Sequence, residues 1–360
     1  TNGGTVYFPP GWYGLGTDFV YPTYLTEGLP SSLTIRSNNV YLMGDGPSSC
    51  TITQLVWSGG GNNMFGAGND ATSTGPSGVG IIGMRIYGSG STSDTIQFQT
   101  TTNTVFYNLQ IFNSSQDAID VQGGGPVYID NFMCTNAPAN SISALNTGVF
   151  VSNFDIEGGA TRAGHFDVFT GCSLFTMNGV FRYVTNCVNA HGEMVSLVNV
   201  VFKSPNVDST NVTCEGYLFM DNCRFEGVNA SGAAICIMTN SGFVKIQNTL
   251  FSDRGIVALR PSRMLIEGCF FNAGQTGIRI HGGSDNILIK DNWFTATEGI
   301  RYFGNPTYPP VIQGNYFLGV NYHADNAGTN HVLMGNTFSN DNINFISGDG
   351  ERLLFQDNIM

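Results

Sequence analysis

Apolar and polar residues alternate in short bursts along most of the chain, and the bursts share one form. VKIQNTLF at 244–251 shows it: Val244, Ile246 and Phe251 are apolar, the residues between are polar, and Asn248 stands where the alternation breaks. The phrase returns as LVNVVF (197–202), YLFMDNCRF (217–225), RMLIEGCFF (263–271), ILIKDNWF (287–294), PVIQGNYF (310–317) and VLMGNTF (332–338). Aligned on its last apolar residue, it occurs at Ile86, Ile111, Cys134, Ile156, Phe181, Phe202, Phe225, Phe251, Phe271, Phe294, Phe317, Phe338 and Met360, at intervals of 20 to 26 residues. A repeat of that length predicts a solenoid, in which each coil buries its apolar face on its neighbours.

The columns of this alignment predict the local structure. Five residues before the anchor, twelve of the thirteen residues are apolar, and seven before most are Val, Leu, Ile or Met. The two columns together have the period of two that a strand requires. Three before the anchor stand Gly83, Asn108, Asn131, Asn153, Asn178, Asn199, Asn222, Asn248, Gly268, Asp291, Gly314, Gly335 and Asp357. Asn, Gly and Asp are the residues that enter the left-handed region at low cost, so each marks a sharp bend between two short strands. With coils about 4.8 Å apart, the Asn amides of this column could bond one another in a ladder.

A second strand phrase lies upstream in each coil: AIDVQG (118–123), HFDVF (165–169), CVNAH (187–191), AICIM (234–238), GIVALR (255–260), GIRIHG (277–282), GIRYFG (299–304) and INFISG (343–348). Two or three strands within each repeat predict an all-β parallel β-helix, a solenoid of about thirteen or more coils. A leucine-rich repeat of similar length needs a helix and a Leu-x-x-Leu-x-Leu pattern, and neither is present. The reading is a single domain over 1–360: N-terminal coils at 1–58, a glycine-rich excursion (GGGNNMFGAGNDATSTGPSGVG) at 59–80, and regular coils from 81.

Composition agrees with turn-rich β structure: 47 glycines, 11% charged residues and only three lysines. The net charge of −12 opposes nucleic acid or an anionic membrane as partner. No apolar run is long enough to predict insertion in a membrane. The eight cysteines show no metal-ligand spacing with His, and Cys134, Cys223 and Cys269 fall in or beside repeat positions that are otherwise apolar. They read as reduced core thiols, with disulfides left open. No metal or cofactor is expected.

The opening GGTVYFPPGWY (3–13) and the following SLTIRSNNVYLMGDGPSSCTI (32–52) resemble the first coils of the pectate-lyase-like superfamily of right-handed β-helices. Within it the combination looks most like phage tailspikes and capsule depolymerases. The resemblance implies a right-handed parallel β-helix, an extended polysaccharide as partner, a homotrimer, and a place on a virion or outside the cell. The short helix that usually precedes GGTVYF is missing, the chain starts at Thr1 rather than Met, and it stops at Met360 in mid-repeat. A piece of a longer chain is expected. QDAID (116–120), AGHF (163–166) and GIRI (277–280) are only fragments of the pectin-hydrolase motifs, and the lyase calcium cluster is not recognisable. Those subfamilies' substrates do not carry over, because fold does not fix function.

The outward positions of the second phrase concentrate chemistry in a chain that has little. With Ile119, Val121, Phe166, Val168, Val188, Ala190, Ile278 and Ile280 inward, Asp120, His165, Asp167, His191, Arg279 and His281 face out, and Glu193 and Glu215 follow their strands. Glycoside hydrolysis needs two carboxyl groups about 5–5.5 Å apart for retention or about 6.5–9.5 Å for inversion. Asp167 with Glu193, or Asp120 with Asp167, meets one spacing or the other if coils are about 4.8 Å apart. The catalytic candidates are therefore Asp167, Glu193 and Asp120. His165, His191, Glu215, Arg279, His281, Arg301 and Tyr302 are candidates for substrate binding, with Tyr183 and Trp293 as further sugar-stacking rings. The expected activity is hydrolysis of a bacterial surface glycan. A noncatalytic glycan-binding spike, or a lyase or epimerase acting on uronic acids, are the alternatives.

Overall fold

All thirteen residues of the bend column have positive φ, between 50° and 66°. The expected left-handed turn is present in every copy. The structure is a computed structural model and describes residues 3–15, 31–54, 63–68, 75–88, 94–158, 166–169, 171–184, 186–192, 194–203, 210–227, 233–238, 242–252, 255–272, 274, 276–282, 286–295, 297–303, 308–325, 331–339, 343–346 and 353–360. Every regular element among them is a strand, and every strand pair is parallel. No helix among them is long and apolar enough to cross a membrane.

The chain divides into two compact units, Thr1–Val184 and Thr185–Met360. Each carries two parallel sheets. One, the bent sheet, is built from the aligned phrase, and the other, the straight sheet, from the upstream phrase. In the first unit long strands run through the bend, as Thr104–Phe112, Val127–Thr135, Gly148–Glu157 and Ser173–Arg182. In the second unit the bend usually splits the phrase, as in Arg263–Glu267 and Phe270–Phe271. The straight sheet has six described strands in the first unit and eight in the second, against thirteen anchor phrases read in the sequence.

Register keeps equivalent residues of successive coils opposite one another, so identical side chains stack. The anchor column of the second unit is a row of rings: Phe202, Phe225, Phe251, Phe271, Phe294, Phe317 and Phe338 lie 4.4 to 5.0 Å apart between centroids with planes within 8°. All are buried. Removing each ring from water stabilises the coil by roughly 1.5–3 kcal/mol, and offset stacking adds to that.

The bend column does carry amide bonds on the surface, from Asn131 to Asn108 at 2.9 Å and from Asn222 to Asn199 at 2.7 Å. A second ladder, not foreseen, stands one residue later and is buried. Asn292, Asn315 and Asn336 are at most 2% exposed. The Nδ2 of Asn315 donates to the carbonyls of Ile289 (2.9 Å) and Gln313 (3.1 Å) and to Asn336 Oδ1 (3.1 Å). Its Oδ1 accepts from both Nδ2 and the backbone N–H of Asn292, each at 3.0 Å. In the first unit the same column is apolar, with Met84, Leu109, Phe132 and Phe154 buried. Gly179 follows there because the ring of Phe154 occupies the space a Cβ would need.

Two expectations change. Residues 59–80 are not a single excursion: Asn63–Ala67 is a buried strand paired with Ser31–Ile35 and Ile96–Gln99. Met64, Phe65 and Ala67 supply its apolar positions, which the surrounding glycines obscured in the sequence. The cysteines, left open between thiol and disulfide, are all thiols, and seven are buried. Burial pushes Cys134, Cys223 and Cys269 up to about 12, so these are packing groups rather than nucleophiles.

The bend column offers a direct check. Asn248 has φ 50° and its Nδ2 donates to Asp221 Oδ1 at 2.9 Å on the surface. Asn248→Val is expected to lower stability by about 1–2 kcal/mol, the cost of a β-branched residue in the left-handed region. Asn248→Gly should be close to neutral, since Gly268, Gly314 and Gly335 hold the same place. Urea denaturation midpoints of the two variants report the difference.

Candidate active site on the straight sheet

The inward assignments hold: Ile119, Val121, Phe166, Val168, Val188, Ala190, Ile278 and Ile280 are each at most 1% exposed. Between them, in the first unit, runs an outward column set by register: Gln97 opposite Asp120, Asp120 opposite Ser143, and Ser143 opposite Asp167. Asp120 and Asp167 are thus two coils apart, roughly 9.6 Å along the stack. Although these positions point away from the core, Asp120, Ser143 and Asp167 are only 4%, 7% and 6% exposed.

A buried carboxylate needs hydrogen bonds, and Asp120 has them. Its Oδ2 accepts from Gln97 Nε2 at 2.9 Å and Gln122 Nε2 at 2.7 Å, and Ser143 adds a third bond. Asn63 Nδ2 in turn fixes Gln97 by donating to its Oε1 at 2.7 Å. Burial still raises the Asp120 pKa above its ordinary value, and the three hydrogen bonds oppose that shift.

Two carboxyl groups that the sequence reading missed join it. Asp94 Oδ1 accepts the backbone N–H of Asp117 at 3.1 Å, and Asp117 Oδ1 accepts that of Asn140 at 2.9 Å. The three residues form a corner ladder with the period of the coil, each two places before the first strand isoleucine. Burial, reinforced by the charges of Asp94 and Asp120, raises Asp117 to about 7. Burial and then the charge of Asp120 raise Asp94 to about 6. Asn140 is 8% exposed, and its Oδ1 is buried without a hydrogen-bond partner. The available signal was the equal, one-coil spacing from Asp94 to Asp117 and from Asp117 to Asn140, hidden because QDAID was read only as a motif fragment.

The other candidates disperse. His165 and Glu193 lie outside the described residues. In the second unit His191 is bonded at both ring nitrogens: Nδ1 lies 2.9 Å from Glu215 Oε2, and Asn189 Nδ2 lies 3.1 Å from Nε2. Arg279 and Arg301 are opposite each other on adjacent strands, with His281 opposite Phe303. Tyr302 is not a surface ring. It is fully buried, perpendicular to His331 at 5.3 Å, because the alternation that sends Arg301 and Phe303 outward sends Ile300 and Tyr302 inward. Tyr183 and Trp293 are exposed, and Trp293 belongs to the bent sheet, where it stacks between Phe270 and Tyr316. Among the described residues no group of three or more His, Cys, Asp or Glu has the geometry to hold a metal ion.

The family model for the right handed beta helix region matches residues 168–343. This chain folds as a right-handed parallel β-helix. Among solved structures, the β-helix is similar to the catalytic unit of a GH87 α-1,3-glucanase from Streptomyces thermodiastaticus, at 11% identity and a TM-score of 0.51, with 99% of this chain and 63% of that one covered. The A-module of a mannuronan C-5 epimerase from Azotobacter vinelandii aligns at 14% identity and a TM-score of 0.44, covering 99% and 91% of the two chains. A tailspike protein of E. coli bacteriophage HK620 aligns at 15% and 0.44, covering 93% and 64%. No curated protein matches the sequence. The β-helix therefore spans less than two thirds of the glucanase and tailspike chains.

Proposed function

We propose that this β-helix cleaves glycosidic bonds in an extended polysaccharide, with Asp117 as general acid and Asp120 as the carboxylate that activates water. The observation that carries the reading is the Asp94, Asp117 and Asp120 cluster. Burial and neighbouring charge raise Asp117 to about 7, beside an Asp120 on which three hydrogen bonds oppose the upward shift that burial causes. Environments that push two carboxyl groups apart in this way define acid and base roles. In the step itself, Asp117 passes its proton to the glycosidic oxygen as the C–O bond breaks. Asp120 takes a proton from the water that adds to the anomeric carbon.

Other features support the same reading. Ser143 and Asp167 continue the column over two further coils, and can bond sugar hydroxyls along an extended chain. A glucanase catalytic unit is built on the same fold. A substrate outside the cell or on a bacterial surface, met by a secreted or virion-borne protein, suits the acidic chain.

The test is release of reducing ends from capsule and O-antigen preparations, followed across pH. The acid must be protonated, so kcat/KM should fall as pH rises through about 7. Asp94 raises Asp117 by its charge, so Asp94→Asn should move that limb to lower pH while leaving cleavage measurable. A limb that stays in place removes Asp117 from the acid role. Products absorbing in the near ultraviolet would mark elimination and replace hydrolysis with a lyase reaction.

A further inference from the structure

The straight sheet of the second unit places two arginines on adjacent coils. Arg279 and Arg301 are register partners in Thr276–His281 and Glu298–Phe303, with backbones about 4.8 Å apart. Both guanidinium carbons lie near the ring of Phe303, at 6.0 Å and 4.6 Å from its centroid. Like charges directly opposite repel. Such a pair is unexpected in a chain with 14 basic and 26 acidic residues unless something offsets it.

One partner is in place. Glu298 Oε1 lies 3.0 Å from Arg301 Nη1, and Glu298 Oε2 accepts from Thr276 Oγ1 at 2.8 Å. Arg279 has weaker support: Nη2 donates to Thr276 Oγ1 at 3.3 Å, and Nε is buried without a hydrogen-bond partner. His281 stacks on Phe303 at 4.7 Å. Its pKa is held below the ordinary value, first by burial and then by the two arginines, so the ring adds no third positive charge at neutral pH.

We propose that the Arg279 and Arg301 pair binds the carboxylate of an acidic sugar residue. Among the described side chains, two cations face one built-in anion, and a buried Arg279 N–H is left to donate. A planar carboxylate matches the guanidinium fork and restores charge balance. The adjoining Phe303 and His281 rings provide an apolar border suited to the C–H positions of a sugar, which an inorganic ion would leave unused. This rests on the reading of the chain as a glycan-binding β-helix, and not on the cleavage chemistry.

Titration calorimetry can test it with three probes: a glucuronate-containing tetrasaccharide, the same tetrasaccharide with its carboxyl groups reduced to alcohols, and inorganic sulfate. The acidic tetrasaccharide is expected to bind at least about tenfold more tightly than either control. Arg279→Gln should weaken it by about tenfold or more while Arg279→Lys loses less, since lysine keeps charge but not the fork. Melting curves verify that Arg279→Gln is folded; the Arg301 and Glu298 pair does not depend on it. Equal binding of the reduced tetrasaccharide, undiminished binding by Arg279→Gln, equal binding of sulfate, or no binding of the acidic probe each overturns the proposal. Reducing-end release from polysaccharide, assayed on the same preparation, reports separately on the Asp117 site.

Discussion

Asp117→Asn is expected to silence glycan cleavage and to stabilise the protein at pH 8. The first effect follows from removal of the proposed general acid, a role that contributes about 10²–10⁴-fold to rate. The second follows from linkage. In the unfolded chain Asp117 ionises at its ordinary value of 3.8, whereas in the folded chain burial and the charges of Asp94 and Asp120 hold it to about 7. The folded state therefore binds more protons than the unfolded state between these values, and stability falls as pH rises through that window. At pH 8 the folded protein carries an unfavourably placed charge, and a neutral Asn of the same shape avoids it.

The gain should be on the order of 2–4 kcal/mol at pH 8. It should shrink towards pH 4, where the native carboxyl is already neutral. The Asn140 backbone N–H retains an acceptor in the variant, because the new side-chain oxygen replaces Asp117 Oδ1. Melting temperatures at the two pH values, with reducing-end assays beside them, check both halves. An equal stability difference between variant and parent at both pH values would deny that the site stores this charge, and undiminished cleavage would deny its role as the acid.

Asn315→Leu is expected to cost about 3–5 kcal/mol, several times the effect at Asn248. Leucine matches asparagine closely in size, so the loss is one of hydrogen bonding rather than volume. Without the amide, the backbone N–H and Nδ2 of Asn292 lose their Oδ1 acceptor and the Ile289 carbonyl loses the Nδ2 donor, while the Gln313 carbonyl keeps the Asp291 N–H. The site is 1% exposed, so water cannot replace these partners. Each buried group left unpaired costs about 1–3 kcal/mol. Asn248 by contrast makes its side-chain bond on the surface. Urea midpoints of Asn315→Leu and Asn248→Val should differ in that order; equal losses would assign the buried ladder no special energetic role.

The two asparagines show how much the sequence disclosed. Asn248 was legible because αL tolerance belongs to one residue's own backbone, and thirteen copies in register leave no other reading. Asn315 was obscured because its column passes from Met84 and Phe132 through Cys223 and Thr249 to Asn292, with no single residue type to flag it. Tyr302 is buried by the same alternation that turns Arg301 outward, so strand phase and not the chemistry of its ring fixes its place. Asp120 and Asp167 were found from the outward phase of their strands. Asp94 and Asp117 precede their strands, where no two-residue period reaches.

By itself the sequence determined the coil, its bends and the inward and outward sides of its strands, since these depend on local sterics and on the period of apolar residues. Only the tertiary structure decided which side chains of successive coils meet, and how far water is kept from them. Proton affinity and hydrogen-bond satisfaction depend on those two quantities. Asp117 is an ordinary aspartate in the sequence and a neutral-pH acid in the fold, because burial and two neighbouring carboxylates reach it only after the coils have stacked.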